Sequence, residues 1–287
     1  MLMDHIGEFF PDSPIWFRWL GRLAAPLFFY ALAVGFQHTR NRKKYLLRLY
    51  LANVGMVFFN QIMCMLQRKL DYVAYQPKNH NIFTTLFCAG VLICIWENRK
   101  EKKKFFTYIG IYIFWQAMVM GLAILAEAFD YVWRGNALLQ TVLRTNYIFP
   151  LLGGIWDAEG GVFFIVLGVW LYCAVENKWK LALRYILFCG AYMFMCQGDI
   201  LYRIMSRFSF WGYHKLADVI YFGSSFVGIP LGTSDLSLLT EFYQWMMIGA
   251  LPIMLSCNGK RGKSLKWLFY AAYPLQFLVL YGISYYK

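Results

Sequence analysis

The fold follows from residues 16–37, which read WFRWLGRLAAPLFFYALAVGFQ. An apolar run of this length crosses roughly 30 Å of hydrocarbon as a single helix. Runs of similar length recur along the whole chain, which is 60% hydrophobic, 20% aromatic and only 15% charged. This composition excludes an intrinsically disordered chain and argues against a soluble globular protein. The sequence therefore predicts a protein that crosses a lipid bilayer several times.

Eight apolar spans predict an all-α, polytopic transmembrane helix bundle, organised as one domain over residues 1–287. The spans cover approximately residues 16–37, 45–66, 81–97, 105–129, 160–176, 181–196, 241–257 and 267–286. A short leading helix or re-entrant segments would bring the number to nine or ten. Residues 137–152 and 200–210 either lie in the interface or re-enter the bilayer, and residues 216–231 are a candidate for an irregular ninth span.

The net charge of +13 is concentrated in four connectors, those after the first, third, fifth and seventh spans. They hold 17 of the 28 Lys and Arg residues but only three of the 15 acidic residues. Such alternation is what the positive-inside rule predicts for a multi-pass protein of a bacterial inner membrane, with the basic connectors in the cytoplasm. The charge therefore needs no nucleic-acid partner to explain it, and none is predicted.

Ionisable residues at the outer end of the first span are the candidates for chemistry. His5 follows Asp4, and a carboxylate that touches an imidazole raises its basicity and fixes its tautomer, as a general base requires. Adjacent helical residues point about 100° apart, so the pair is equally compatible with a polar helix end. Arg22 lies inside an apolar span, where an arginine faces a partner or cavity or extends to the interface.

Two basic segments are candidates for anion binding. Arg40, Arg42, Lys43 and Lys44 form one of them, and Asn258, Lys260 and Arg261 form the other, bracketed by glycines. Such residues hold phosphates by charge-assisted hydrogen bonds, although basic clusters also serve only to orient a membrane protein.

Polar residues before the third span predict an outer cavity lined by His80, Asn81 and Thr84. No two histidines stand three or four residues apart, and the seven cysteines contain no C-x-x-C pair, so no metal site is predicted.

The chain resembles the TraX family, membrane proteins associated with F-pilin acetylation, which is similar to a larger superfamily of polytopic acyltransferases. The resemblance is carried by Asp4-His5-Ile6-Gly7, Gly21-Arg22-Leu23, Pro26-Leu27-Phe28, Gly35-Phe36, residues 38–48 (HTRNRKKYLLR), residues 81–86 (NIFTTL), residues 258–262 (NGKRG) and residues 269–274 (FYAAYP). These stretches lie in the expected order towards both ends of the chain.

The resemblance implies an acyltransferase that uses acetyl-CoA or another acyl-CoA as co-substrate. His5 would be the base that activates an amine or hydroxyl of a peptide N-terminus, glycan or lipid at the outer face. Asp4 and Arg22 would complete the catalytic group, Arg22 by binding the acceptor or the thioester carbonyl. The two basic segments would grip the CoA phosphates. Asn81, Thr84, Tyr273 and Gln276 would line the substrate cavity.

Two departures from the family pattern bear on this function. Only Met1-Leu2-Met3 precede the Asp-His pair, where members usually have an apolar segment, so either the first helix is truncated or the chain start is wrong. Gln276 stands where the family usually has histidine, which places more of the proton transfer on His5. Two non-enzymatic functions remain as alternatives, namely a transporter or flippase of an anionic molecule and a partner-binding membrane subunit.

Overall fold

The computed structural model describes residues 1–70, 81–128, 145–156, 158–197, 207, 213–230, 236–258 and 266–286, which contain helices and no β-strand. Short 3₁₀ helices cover Asn98–Lys100 and Tyr243–Gly249. The α-helices are α1 (Leu2–Phe9), α2 (Trp16–Gly21), α3 (Ala24–His38), α4 (Arg42–Leu70), α5 (Ile82–Glu97), α6 (Lys102–Ala128), α7 (Thr145–Leu151), α8 (Gly161–Tyr172), α9 (Lys178–Gln197), α10 (Tyr213–Val227), α11 (Ala250–Ser256) and α12 (Lys266–Tyr286). The predicted all-α fold is confirmed.

Six helical segments of the described residues are long and apolar enough to cross a membrane, so the chain is a multi-pass membrane protein. They are Trp16–His38, Arg42–Leu66, Ile82–Lys100, Lys102–Ala128, Lys178–Gln197 and Leu268–Tyr286. The predicted span at 160–176 is a shorter apolar helix of 12 residues, α8. The span predicted at 241–257 is divided between a 3₁₀ helix and the seven-residue α11. Helix α10, in the segment considered as a ninth span, has 15 residues.

The first membrane segment is interrupted between α2 and α3. Pro26 has no N–H to donate to the carbonyl of Arg22, so the helix is broken at Arg22 and Leu23 and restarts at Ala24. Proline is tolerated there because N–H groups in the first turn of a helix have no intrahelical acceptor. The interruption places Arg22 at the end of α2.

The chain packs as two compact units, and the boundary falls within α3. One unit comprises Met1–Val34 with Gly160–Ser264, and the other comprises Gly35–Glu159 with Leu265–Lys287. Organisation as one functional domain remains a prediction.

Aromatic rings form the core of the first unit. Phe29 of α3 is fully buried and lies against Phe164 of α8, with ring centroids 6.1 Å apart. Phe164 also meets Phe188 and Tyr192 of α9 at 6.0 and 5.9 Å. These contacts hold α3, α8 and α9 together.

In the second unit, α7 and the loop after it lie against α4, α5 and α6. The carbonyls of Pro150, Leu151 and Leu152 accept hydrogen bonds from side chains of α4 and α6, over 2.6–2.9 Å. Gln116, in the middle of apolar α6, donates to the Gly153 carbonyl and accepts from the Ile155 N–H. The described part of the region predicted to be interfacial or re-entrant is thus the short helix α7, and side chains satisfy the backbone carbonyls at its end and in the loop that follows.

A close backbone contact joins α8 to the end of α10 in the first unit. Gly161 and Gly228 have positive φ angles of 68° and 87°, a region that side-chain-bearing residues rarely adopt. A Cβ atom at Gly228 would overlap the Gly160 carbonyl and lie 3.1 Å from the Gly161 Cα. Glycine is therefore required here both by conformation and by space.

We expect Gly228→Ala to lower the free energy of unfolding by about 2 kcal/mol or more, since it combines backbone strain with overlap. Gly223→Ala is the matched control, because Gly223 lies within α10 and a Cβ there meets nothing within 4 Å. Alanine in a helix interior should be neutral or stabilise by up to about 1 kcal/mol. Thermal unfolding in detergent measures both variants, and equal midpoints would contradict the assignment.

Candidate functional site

The first unit contains an ion-pair cluster built on α1 and α2. Asp4 and Glu8 are four residues apart on α1, and Arg18 and Arg22 are four residues apart on or next to α2, so each pair lies on one helix face. Arg22 Nη2 donates to both Asp4 carboxylate oxygens, over 2.5 and 2.6 Å. Arg18 Nη1 lies 2.9 Å from Asp4 Oδ1 and donates to the Asp4 carbonyl.

Two glycines allow the short helices to approach closely enough for these bonds. A Cβ atom at Gly21 would lie 2.8 Å from the Asp4 Cα, and one at Gly7 would lie 2.9 Å from the Arg18 Cγ. Both glycines belong to the stretches that carry the family resemblance.

The 3₁₀ helix Tyr243–Gly249 supplies two further partners that the sequence did not reveal. Tyr243 accepts a hydrogen bond from Arg18 Nε at 2.9 Å, and its ring lies 5.4 Å from the Arg22 guanidinium carbon. Gln244 Oε1 accepts from Arg22 Nη1 at 3.0 Å. Tyr185 of α9 anchors this 3₁₀ helix by donating to the Met247 carbonyl. Because 241–257 was interpreted as a membrane span, nothing marked Tyr243 or Gln244 as site residues.

His5 follows Asp4 on α1 and is 7% exposed, whereas the Asp4 and Arg22 side chains are 17% and 22% exposed. Both oxygens of Asp4 are engaged by arginine, so its visible role is to neutralise and fix Arg22. The Nε–H group of Arg22 is buried and has no hydrogen-bond partner among the described residues. The site therefore combines a buried imidazole, a fixed guanidinium and a guanidinium N–H donor. The catalytic roles of the three residues remain predictions.

The predicted phosphate-binding residues differ in their contacts and in their exposure. Arg42 donates to Glu97 at 2.9 Å and to the Thr39 carbonyl at 2.6 Å, so its guanidinium already binds within the protein. Arg40, Lys43 and Lys44 are exposed. Of the second segment, Asn258 is exposed at the end of the described residues, whereas Lys260 and Arg261 lie outside them. Their binding to phosphate remains a prediction.

Helix α4 begins directly after Asn41, whose side-chain oxygen accepts from the Lys44 N–H at 2.9 Å. Asn41 is therefore the N-cap of α4, and it provides an acceptor for one of the first-turn N–H groups that have no acceptor within the helix. Three basic residues in the first turn oppose the helix dipole. Membrane topology or an anionic ligand accounts for their position better than helix stability does.

The predicted cavity residues of the second unit belong to a buried polar network around Asn53 of α4, a residue that sequence analysis did not single out. Asn81 and Thr84 both donate to Asn53 Oδ1, at 2.8 and 2.7 Å, and Asn53 donates to the Pro150 carbonyl. Tyr273 of α12 accepts from the Ile82 N–H at 3.4 Å. The isolated asparagine within an apolar span was the available signal. His80 lies outside the described residues.

Tyr273 also donates to Glu159 Oε2 at 3.5 Å, and Gln276 lies one helical turn after Tyr273 on α12. The described residues contain no group of three or more His, Cys, Asp or Glu side chains placed to hold a metal ion. The prediction of no metal site is not tested by this arrangement.

These helices and this partly buried charge cluster define a multi-pass membrane protein with an ionisable site at the N-terminal end of its first membrane segment. The sequence matches the model of the TraX protein family over residues 1–192, and the chain belongs to that family. The match includes His5, Asp4, Arg22, the 38–48 segment and residues 81–86, and ends before Tyr243, Asn258 and Gln276. No curated protein and no solved structure gives a match.

We expect Asp4→Asn to lower the free energy of unfolding by about 2–3 kcal/mol, because it leaves two arginines without their carboxylate partner. Asp12→Asn is the matched control, since Asp12 is exposed in the loop between α1 and α2, and it should change stability by less than about 0.5 kcal/mol. Chemical denaturation in detergent compares the two variants. Equal stability would mean that the ion-pair cluster does not hold α1 against α2.

Proposed function

We propose that this TraX-family protein is a membrane acyltransferase that moves an acetyl or other short acyl group from acyl-CoA to an amine or hydroxyl. The observation that carries the proposal is that buried His5 directly follows Asp4 on α1, and Asp4 together with Gln244 fixes the guanidinium of Arg22. Membership of the TraX family supports it further, because the resemblance associates that family with pilin acetylation.

In the proposed reaction His5 accepts the proton of the acceptor N–H or O–H as the acceptor attacks the thioester carbonyl carbon. The carbonyl oxygen becomes an oxyanion, and the Arg22 N–H group donates a hydrogen bond to it. Collapse of this intermediate breaks the C–S bond, and the proton held by His5 ends on the departing CoA sulfur. Fixed donors of this kind stabilise the transition state because they need no reorganisation during the reaction.

The exposed Arg40, Lys43 and Lys44 are proposed ligands of CoA phosphates. Asn258, Lys260 and Arg261 are proposed as phosphate ligands in their own right. Anions bind favourably near the N-terminus of a helix, and Lys43 and Lys44 stand in the first turn of α4. Arg42 is expected to contribute less to phosphate binding, because its guanidinium is paired with Glu97. We place the protein in a bacterial inner membrane with these basic segments in the cytoplasm, as the positive-inside rule favours. The acceptor is a peptide N-terminus, a glycan or a lipid.

Replacing His5 with alanine should reduce acyl transfer by about 100-fold to 10,000-fold, the usual contribution of a general base. The measurement is CoA release from acetyl-CoA in liposomes, with a short peptide, glucosamine or phosphatidylethanolamine as acceptor probe. His38→Ala is the matched control, because His38 is exposed at the end of α3. Undiminished release by a His5→Ala protein with an unchanged unfolding midpoint would overturn the assignment of the base.

Neutralising Lys43 and Lys44 together, as K43Q/K44Q, should weaken CoA binding by about tenfold or more, because two charge-assisted phosphate contacts are lost. The readout is the rise in thermal midpoint on adding CoA. K102Q/K103Q is the control, since these two lysines are also exposed and begin α6. Equal loss in both variants would indicate that only the net positive charge matters.

A further inference from the structure

Two side-chain amides in the second unit are buried and incompletely bonded. Asn81 and Gln276 are each 9% exposed. Within the described part of the chain, Asn81 Oδ1 and Gln276 Nε2 have no hydrogen-bond partner. A buried polar atom without a partner is costly, so a native protein retains one where a ligand or a function requires it.

The network around Asn53 fixes which way the Asn81 amide points. Because Asn53 Nδ2 donates to the Pro150 carbonyl, Asn53 Oδ1 can only accept, and it receives both Asn81 Nδ2 and the Thr84 hydroxyl. The nitrogen of Asn81 is therefore committed to Asn53, and its oxygen is the free acceptor. Exchanging the Nδ2 and Oδ1 atoms of Asn81 would place its oxygen against the Asn53 oxygen, where neither could donate.

Gln276 occupies the buried face of α12. Tyr273, Gln276, Phe277, Leu280, Tyr281 and Ser284 are all buried and follow the three-or-four-residue spacing of one helix face. Leu275 and Leu278, on either side of Gln276, are exposed. The glutamine therefore points into the protein, where its unbonded N–H group is a donor. On the same face, one turn earlier, Tyr273 contacts the backbone of Ile82, the residue that follows Asn81.

We propose that Asn81 and Gln276 bind the secondary amides of an extended, uncharged ligand segment. An amide N–H would donate to Asn81 Oδ1, and an amide carbonyl would accept from Gln276 Nε2. Asn81 donates to Asn53, which also accepts from Thr84, and both of these side chains are neutral, so this network favours an uncharged group. An amide segment supplies the missing donor and acceptor together, whereas an alkyl chain supplies neither.

This proposal rests on the proposed function, which involves two molecules with such a segment. One is acyl-CoA, whose pantetheine arm contains two secondary amides, and the other is a peptide acceptor with its backbone amides. They are distinguished by using pantetheine and N-acetyl-alanyl-alanine methylamide as separate neutral probes. An ester analogue of each probe, which lacks the amide N–H, is the chemical control. Binding is measured by isothermal titration calorimetry on the whole protein in detergent. No acyl transfer takes place in this experiment, so failure of the acyltransferase proposal does not affect the result.

Gln276→Met removes the orphan donor at similar volume and should weaken binding of the preferred probe about fivefold to tenfold, the value of a neutral hydrogen bond. The same substitution should leave the thermal midpoint of the ligand-free protein unchanged or slightly higher, because an unsatisfied polar group is removed. Gln116→Met is the matched control in the same unit. Gln116 is 4% exposed and bonded at both amide atoms, so its loss should lower the midpoint by about 5 °C.

Preference for pantetheine would assign the site to the co-substrate, and preference for the capped peptide would assign it to the acceptor. The proposal is overturned if neither probe binds, if the ester analogues bind as well as the amides, or if Gln276→Met binds as tightly as wild type. A fall in the ligand-free midpoint of Gln276→Met as large as that of Gln116→Met would also overturn it, because it would show that Gln276 is bonded within the protein.

Discussion

Every backbone N–H and carbonyl inside an apolar environment needs a hydrogen-bond partner from the protein itself, and this constraint organises the structure. Regular helices meet it internally, which is why the membrane segments are uninterrupted runs of helix over most of their length. Where the chain leaves helical geometry after α7, side chains provide the partners instead. Gln116 and Trp115 bind backbone groups of the following loop, and Tyr50 binds the carbonyl of Leu151, the last residue of α7. Some polar residues within apolar spans are therefore there because they bind irregular backbone.

The same constraint applies more strongly to charge. Arg18 and Arg22 lie in a membrane-length segment, and each is engaged by Asp4. Helix α1 carries that carboxylate, so the short helix before the first membrane segment is held by the charges it neutralises. Tyr243 and Gln244 complete the coordination of the two guanidinium groups. A guanidinium held on several sides is positioned before any substrate arrives, which is the condition for electrostatic catalysis.

Two glutamine side chains of the second unit differ in how completely their amide groups are hydrogen-bonded. Gln116 uses both amide atoms within the protein and has the character of a structural residue. Gln276, in another apolar helix, leaves its N–H group without a partner in the described structure. Two glutamines that look alike in sequence are thus distinguished by their surroundings, and the binding role proposed for Gln276 rests on this difference.

Local patterns of the chain predicted much of this arrangement. Apolar run length predicted six of the membrane segments, and the position of Pro26 accounts for the break after Arg22. The Asp4-His5 and Gly21-Arg22 stretches marked the ion-pair cluster, but the pairing of Asp4 with both Arg18 and Arg22 was visible only in the structure. The segment at 241–257 was interpreted as a span because its composition is apolar. Its 3₁₀ helix accepts a hydrogen bond from Tyr185 of α9, a contact that no local pattern records.

The sequence by itself determined the helical class, the membrane lengths and the family, because these depend on short-range periodicity, hydrophobicity and motif order. Only the tertiary structure decided that Arg42 is paired with Glu97, that Asn53 joins Asn81 to Pro150 of α7, and that Tyr243 and Gln244 reach Arg18 and Arg22. These contacts join residues from 28 to more than 200 positions apart. Hydrogen-bond partners are chosen by distance and direction in space, and a linear pattern contains neither.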